Sequence, residues 1–199
     1  MQITSEIVKK LRDKTGVGMM DCKKALEETN GDFDKAVEIL RKKGIDVANK
    51  RSGRTASQGT IASYIHMGGK IGVLVEVNCE SDFVAKSDDF NNFVKDVAMQ
   101  IAAASPDWVV REEVPADVLN KEKEILKEQA LKTGKPEKVI EKIVEGKLAK
   151  FYSERCLMDQ PFVKDQDKTI KQLLDELMAK TGEKCLVRRF ARYQVGEDL

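Results

Sequence analysis

The sequence lacks most features by which metalloenzymes and membrane proteins are recognised. Among its 199 residues there is a single histidine, His66, which excludes a metal site built from several histidines. No apolar run approaches the roughly 20 residues that a membrane-spanning helix requires. The N-terminal segment "MQITSEIVKK" contains no apolar stretch of the signal-peptide kind. We therefore expect a cytoplasmic protein with no membrane partner.

Motifs for nucleotide binding and for nucleophilic catalysis are also missing. The sequence contains no GxxxxGK[ST], GxGxxG or GxSxG pattern. It shows no recognisable pair of carboxylates and no set of polar residues that would converge in a pocket. The sequence therefore predicts no catalytic residues, no metal and no cofactor. An enzyme built on the core remains the alternative hypothesis.

The cysteines are few and scattered. They are Cys22, Cys79, Cys156 and Cys185, and no two of them form a CxxC pair. Structural zinc sites usually draw ligands from such pairs, so a zinc site is not expected. In a reducing compartment isolated cysteines behave as small buried hydrophobic residues. We expect four buried thiols, with an intermolecular disulfide at one of them as the alternative.

Neither sign of charge is in excess, since 35 basic residues face 34 acidic ones. Proteins that mainly bind nucleic acid usually carry a basic excess. We therefore expect no direct nucleic-acid partner, and contact of the basic stretch "NKRSGR" with RNA is a weaker alternative. The 41% hydrophobic content is that of a globular protein.

Residues 1–44 show the apolar spacing of three short helices. The third is expected to end at Gly44. Residues 45–59, which are small, polar and basic, predict a linker, with one continuing helical turn near residues 46–50 as an alternative. Three helices of this size form a compact bundle of the ubiquitin-associated kind. Met19 and Met20 are adjacent on the second helix, so we expect one in the core and the other exposed.

Residues 60–199 predict an α+β core. Strands are expected at 60–66 and 70–79, joined by the turn "MGGK", and a third strand near the C-terminus completes a three-stranded antiparallel sheet. Between these strands, the charged stretch 116–154 predicts two antiparallel helices with a thin apolar stripe. We interpret this as a projecting helical hairpin and a dimerisation arm.

Two long segments carry a family resemblance. The segments are "LRDKTGVGMMDCKKAL" at 11–26 and "EVNCESDFVAK" at 76–86, and they resemble the two signatures of the elongation factor Ts family. The resemblance continues through "YIHMGGKIGVLVE", "QPFV" and "FARYQVGE" and covers nearly the whole chain in order. The second signature usually has threonine where Ser81 stands, and serine keeps the hydroxyl.

The resemblance implies a guanine-nucleotide exchange factor for the GTPase elongation factor Tu, and not an enzyme. In the family, the second signature acts beside the Mg²⁺ site of the GTPase, which here implies roles for Asp82, Phe83 and Val84. The phenylalanine inserts between helices of the partner. The N-terminal module docks on the same GTPase domain, through residues that match Arg12, Met19, Met20 and Lys23.

Two further expectations follow from the resemblance and the pattern together. Short family members resemble homodimers, which agrees with the hairpin read as a dimerisation arm. His66 falls at a hairpin tip, where we expect a surface residue or a contact with the partner.

Purely structural roles are the alternatives for some of these residues. Phe83 could be a core residue that closes the sheet, and Arg12 and Lys23 could be ordinary solvated charges. The N-terminal helices could form a ubiquitin-associated binding module attached to an unrelated domain, which would leave "ESDFVAK" without a role.

Overall fold

The structure is a computed structural model that describes residues 3–51, 53–132, 134 and 136–197, without the side chains of residues 41 and 44–51. Three helices come first along the chain, and groups of strands and helices follow. They are α1 Ser5–Thr15, α2 Met19–Glu28, α3 Phe33–Arg51, β1 Gln58–His66, β2 Ile71–Cys79, α4 Asp82–Ala85, α5 Asp88–Ala104, α6 Ala116–Leu131, α7 Glu137–Arg155, β3 Pro161–Phe162, β4 Asp165–Thr169, α8 Ile170–Thr181 and β5 Cys185–Gln194.

The N-terminal helices form the predicted bundle. Helix α1 begins where Thr4 Oγ1 accepts a hydrogen bond from the Ile7 amide, and it ends at Gly16, whose φ of 68° is the left-handed conformation of a glycine cap. The buried core of the bundle consists of Val8, Leu11, Cys22, Ala25, Leu26, Ala36 and Leu40. This small apolar core confirms the three-helix prediction.

Two details of the bundle differ from the sequence-based expectation. Helix α3 continues to Arg51 instead of ending at Gly44, because a single glycine costs a helix about 1 kcal/mol and does not stop it. Met19 and Met20 are both exposed, at 43% and 65%, so the expectation that one is buried is wrong. Val17, which precedes α2, packs against the core at this end of the bundle.

The main sheet has the strand order β1–β2–β5. In the central strand the buried residues alternate, with Val73, Val75 and Val77 on the inner face, as the period of two predicts. The turn between β1 and β2 places Gly68 and Gly69 at φ of 64° and 92°, which glycine adopts without steric cost. The α+β prediction is therefore confirmed.

The chain divides into two compact units that interleave in sequence. Unit 1 comprises residues 1–61, 76–94 and 172–187, and unit 2 comprises residues 62–75, 95–171 and 188–199. The N-terminal bundle, helix α4 and the start of β5 thus belong to unit 1. The division at residues 44 and 59 predicted from the sequence stays a prediction.

Helices α6 and α7 form the predicted hairpin within unit 2. They are joined around Gly134, whose amide donates to the Leu131 carbonyl at 3.1 Å. The seam is thin, since Leu126, Ala130 and Ile140 are its buried residues. Throughout the described part of the chain, no helix combines the length and apolar character needed to span a bilayer.

Unit 2 also contains elements that the sequence did not predict. A short two-stranded hairpin, β3–β4, precedes α8. Two buried glutamines support it. Gln100 Nε2 donates to Gln160 Oε1 at 3.0 Å, and Gln100 Oε1 accepts from the Val163 amide at 2.9 Å. These bonds satisfy polar groups that would otherwise be costly to bury.

Candidate functional site

The segment after β2 forms a one-turn helix. Helix α4 spans Asp82–Ala85, and two residues, Glu80 and Ser81, separate it from the end of β2. Ser81 is its N-cap, with φ −121° and ψ 158°, and Ser81 Oγ accepts from the Val84 amide at 3.3 Å. Asp82 is thus the first residue of the helix and not its cap. At that position its negative charge interacts favourably with the helix dipole.

The amide, the hydroxyl and the carbonyl of Ser81 all form hydrogen bonds. Its amide donates to Glu183 Oε2 at 2.9 Å, and its hydroxyl donates to Glu183 Oε1 at 2.5 Å. Its carbonyl accepts from the Cys79 thiol at 3.1 Å and from the Ala85 amide at 3.3 Å. Every polar group of the N-cap residue of α4 is therefore hydrogen-bonded.

The other end of α4 is closed by local contacts. Ser87 Oγ donates to the Val84 carbonyl at 2.8 Å, and the same hydroxyl accepts from the Phe90 amide to begin α5. Lys86 Nζ lies 2.8 Å from Asp82 Oδ2, an i,i+4 ion pair. The hydrogen bond from Lys86 lowers the pKa of Asp82 below its usual value, so Asp82 is charged at neutral pH.

Phe83 projects from this pinned helix into solvent. It is 82% exposed, whereas the neighbouring Val84 is half-buried. The alternative interpretation of Phe83 as a core residue is therefore wrong. An exposed phenylalanine gains nothing from burial within its own chain. Its side chain is free to be buried by another molecule.

The N-terminal candidate residues lie on the outside of the bundle. Arg12 is exposed in the last turn of α1, and Met19, Met20 and Lys23 are exposed along the first turns of α2. Lys23 is 3.9 Å from Glu27, a solvent-exposed pair that contributes little to stability. The structure thus leaves all four side chains accessible on the bundle of unit 1.

His66 ends β1 in unit 2 and is exposed, as expected. Its Nδ1 lies 2.9 Å from the Tyr64 hydroxyl, and the two rings stack with centroids 5.7 Å apart. Tyr64 therefore fixes the orientation of the imidazole ring at the surface.

The four cysteines are free and buried, as the sequence predicts. Burial raises the pKa of Cys79 to about 11 and that of Cys185 to about 12. These thiols are therefore protonated at neutral pH and are poor nucleophiles. Within the described residues, no group of three or more His, Cys, Asp or Glu side chains is arranged to hold a metal ion.

Glu183 is the part of this site that sequence reasoning missed. It lies in the stretch "TGEK", between α8 and β5, which by itself indicates only the end of a helix. It is separated from Ser81 by 102 positions. No local pattern in a single sequence links residues so far apart.

Comparison with known proteins agrees with the resemblance found in the sequence. The profile of the family described as "Elongation factor TS" matches residues 2–197. The chain is 61% identical over 198 residues to elongation factor Ts of Desulforamulus reducens, covering 100% of this chain and 91% of that protein. It is 60% identical over 197 residues to elongation factor Ts of Moorella thermoacetica, covering 99% and 97%.

The elongation factor Ts of Syntrophus aciditrophicus is 59% identical over 199 residues, which is 100% of this chain and 99% of that protein. The chain belongs to the elongation factor Ts family. Because the match runs from the bundle to the last strand, the N-terminal helices are not a module attached to an unrelated domain.

Proposed function

We propose that this protein is a guanine-nucleotide exchange factor for elongation factor Tu in translation elongation. Family membership supports the partner, and the exposed Phe83 on a pinned helix is the observation that carries the mechanism. The protein would act by binding its partner and not as an enzyme. A large aromatic side chain, held in place before binding, is typical of an interface hot spot.

The proposed mechanism rests on a difference in affinity. GDP leaves a GTPase slowly because loops, phosphate contacts and Mg²⁺ hold it in place. If this protein binds the nucleotide-free GTPase more tightly than the GDP complex, linkage requires that it weaken GDP by the same factor. Asp82, Phe83 and Val84 would create that difference by disturbing the Mg²⁺ and phosphate region. The nucleotide-free complex would then persist until GTP binds.

The N-terminal bundle would bind the GTPase and would not itself disturb the nucleotide site. Arg12 and Lys23 are exposed cations, and Met19 and Met20 are exposed, flexible apolar side chains. Methionine adapts its shape to a partner surface at little cost. We assign these residues to the same GTPase partner, with His66 as an additional contact.

We also propose that the protein is a cytoplasmic homodimer with the α6–α7 hairpin as its dimerisation arm. The hairpin exposes apolar side chains at Ile125, Leu131 and Val139, which a second copy could cover. Sedimentation velocity tests this, with Leu131→Glu as the variant expected to shift the dimer toward monomer. The four buried thiols predict the same result under reducing and oxidising conditions. A wild-type monomer at micromolar concentration would overturn the dimer.

The exchange function is tested by GDP release. Elongation factor Tu is loaded with a fluorescent GDP analogue, mixed with excess unlabelled GDP, and followed with and without this protein. We expect release to accelerate strongly and to saturate with protein concentration. Release at the unassisted rate, with a protein shown to be folded by circular dichroism, would reject the proposed function.

A further inference from the structure

Helix α4 cannot be stable through its own backbone. It has four residues, and a single turn fixes several backbone torsions for very few hydrogen bonds. Phe83, at 82% exposure, adds little packing within the chain. The conformation that presents Phe83 must therefore be held by contacts from outside the helix.

Two neighbouring pieces of unit 1 supply such contacts reciprocally. The Ser81 amide donates to the Glu183 carboxylate at 2.9 Å, and the Lys184 amide donates to the Glu80 carboxylate at 2.6 Å. Each segment thus accepts, through its glutamate, a backbone hydrogen bond from the other. The pair joins the start of α4 to the segment just before β5.

Glu183 does more than hold the backbone, because it also orients the hydroxyl that caps α4. A serine hydroxyl has one proton, and an ionised carboxylate can only accept. The Ser81 proton therefore points to Glu183 Oε1, at 2.5 Å. This leaves an oxygen lone pair for the Val84 amide, at 3.3 Å. Without the carboxylate, the hydroxyl could rotate and the cap would weaken.

We propose that Glu183 is a positioning residue for nucleotide exchange, acting on Asp82 and Phe83 through Ser81. This inference rests on the exchange function proposed above. Glu183 need not touch the partner. It raises the fraction of molecules in which α4 is formed and Phe83 points outward, and only that fraction can act on the GTPase.

The kinetic test compares Glu183→Ala with wild type over a range of concentrations. We expect the maximal rate of GDP release to fall about tenfold, as for loss of hydrogen bonds to a charged group. The concentration for half-maximal release should change less, since docking residues elsewhere are intact. Ser81→Ala should lower the maximal release rate in the same way. Because the two residues act as a unit, the double variant should release GDP no more slowly than the slower of the two single variants.

Matched variants separate positioning from general damage. Glu113→Ala, in unit 2, removes a carboxylate that likewise accepts a backbone hydrogen bond, from the Val109 amide at 2.8 Å. It should leave the maximal release rate unchanged. Ser81→Thr keeps the hydroxyl and should exchange like wild type. Glu183→Gln retains an amide oxygen that can accept from the Ser81 amide, so its loss should be intermediate.

Amide hydrogen exchange of the free protein gives a readout that does not involve the partner. We expect the Val84 and Ala85 amides to exchange faster in Glu183→Ala, while amides of α1 keep wild-type protection. Unchanged protection in α4, a wild-type release rate, or an equal loss in Glu113→Ala would each overturn the positioning role. If wild type itself fails to accelerate release, the exchange function falls, while the hydrogen-exchange result still decides whether Glu183 holds α4.

Discussion

Unit 1 presents two exposed apolar surfaces that are built in opposite ways. At α4, one aromatic side chain projects from a single helical turn in which the Val84 amide donates to Ser81 Oγ and the Val84 carbonyl accepts from Ser87 Oγ. At the start of α2, Met19 and Met20 project from a bundle that has its own buried core. The first surface is fixed and narrow, and the second is adaptable. We therefore expect α4 to act on the conformation of the proposed GTPase partner and α2 to contribute to binding affinity.

The sharpest test of this comparison is Phe83→Ala. We expect the maximal rate of GDP release to fall by about 30-fold or more, the loss typical of an interface hot spot. The free energy of unfolding should change by less than about 0.5 kcal/mol, because the side chain is exposed. Release kinetics and urea unfolding measure the two quantities. A variant that unfolds readily would show that Phe83 supports the fold.

The adaptable surface should respond differently. In the double variant Met19→Ala and Met20→Ala, the concentration for half-maximal release should rise about fivefold, since two interface contacts outside the hot spot are lost. The maximal rate should stay near that of wild type. If this variant lowers the maximal rate as much as Phe83→Ala does, the two surfaces do not have different roles. The single variant Lys24→Ala, also exposed on α2, serves as a control.

Asp82→Asn should have a smaller effect than either change. It removes the ion pair with Lys86, which as an exposed i,i+4 pair contributes only a few tenths of a kcal/mol to the helix. We expect a two- to threefold lower maximal release rate, about the effect of losing one modest contact. Lys86→Met removes the same pair and keeps the carboxylate. If it matches Asp82→Asn, then Asp82 acts through α4 rather than on the partner.

The last prediction concerns protein stability at alkaline pH and not nucleotide release. Burial raises the pKa of Cys79 from 9.0 to about 11, so its contribution to stability is present below pH 9 and is lost as pH rises toward 11. Unfolding by urea at pH 8 and pH 10.5 should show a lower free energy at the higher pH. Cys79→Ala should reduce that difference by up to about 2 kcal/mol. A difference unchanged by Cys79→Ala would contradict the assignment to this thiol.

Sequence reasoning succeeded where structure follows from short-range periodicity. The alternation of Val73, Val75 and Val77 predicted a half-buried strand, and the helical spacing in residues 1–44 predicted the bundle. It failed where a single residue was taken as decisive. Gly44 did not end α3, because the cost of one glycine is small against the rest of a long helix.

The candidate site divides in the same way. The pair Asp82 and Phe83 was reached through a family resemblance, and the exposure of Phe83 agrees with it. The one-turn helix itself was missed because its capping residue, Ser81, is hydrogen-bonded to Glu183, 102 positions away. The hairpin β3–β4 was missed because buried Gln100 supports it from another element. Tertiary hydrogen bonds of this kind leave no trace in local patterns.

The most direct test of the account is the preference of this protein for nucleotide-free elongation factor Tu. Its dissociation constant is measured by calorimetry against the nucleotide-free form and against the Mg²⁺–GDP complex, for wild type and for Phe83→Ala. We expect wild type to prefer the nucleotide-free form by about 100-fold, a coupling at the upper end of the usual range. In Phe83→Ala most of that preference should be lost. The same preference in both proteins would contradict the account, because Phe83 would then contribute nothing to the difference that drives exchange.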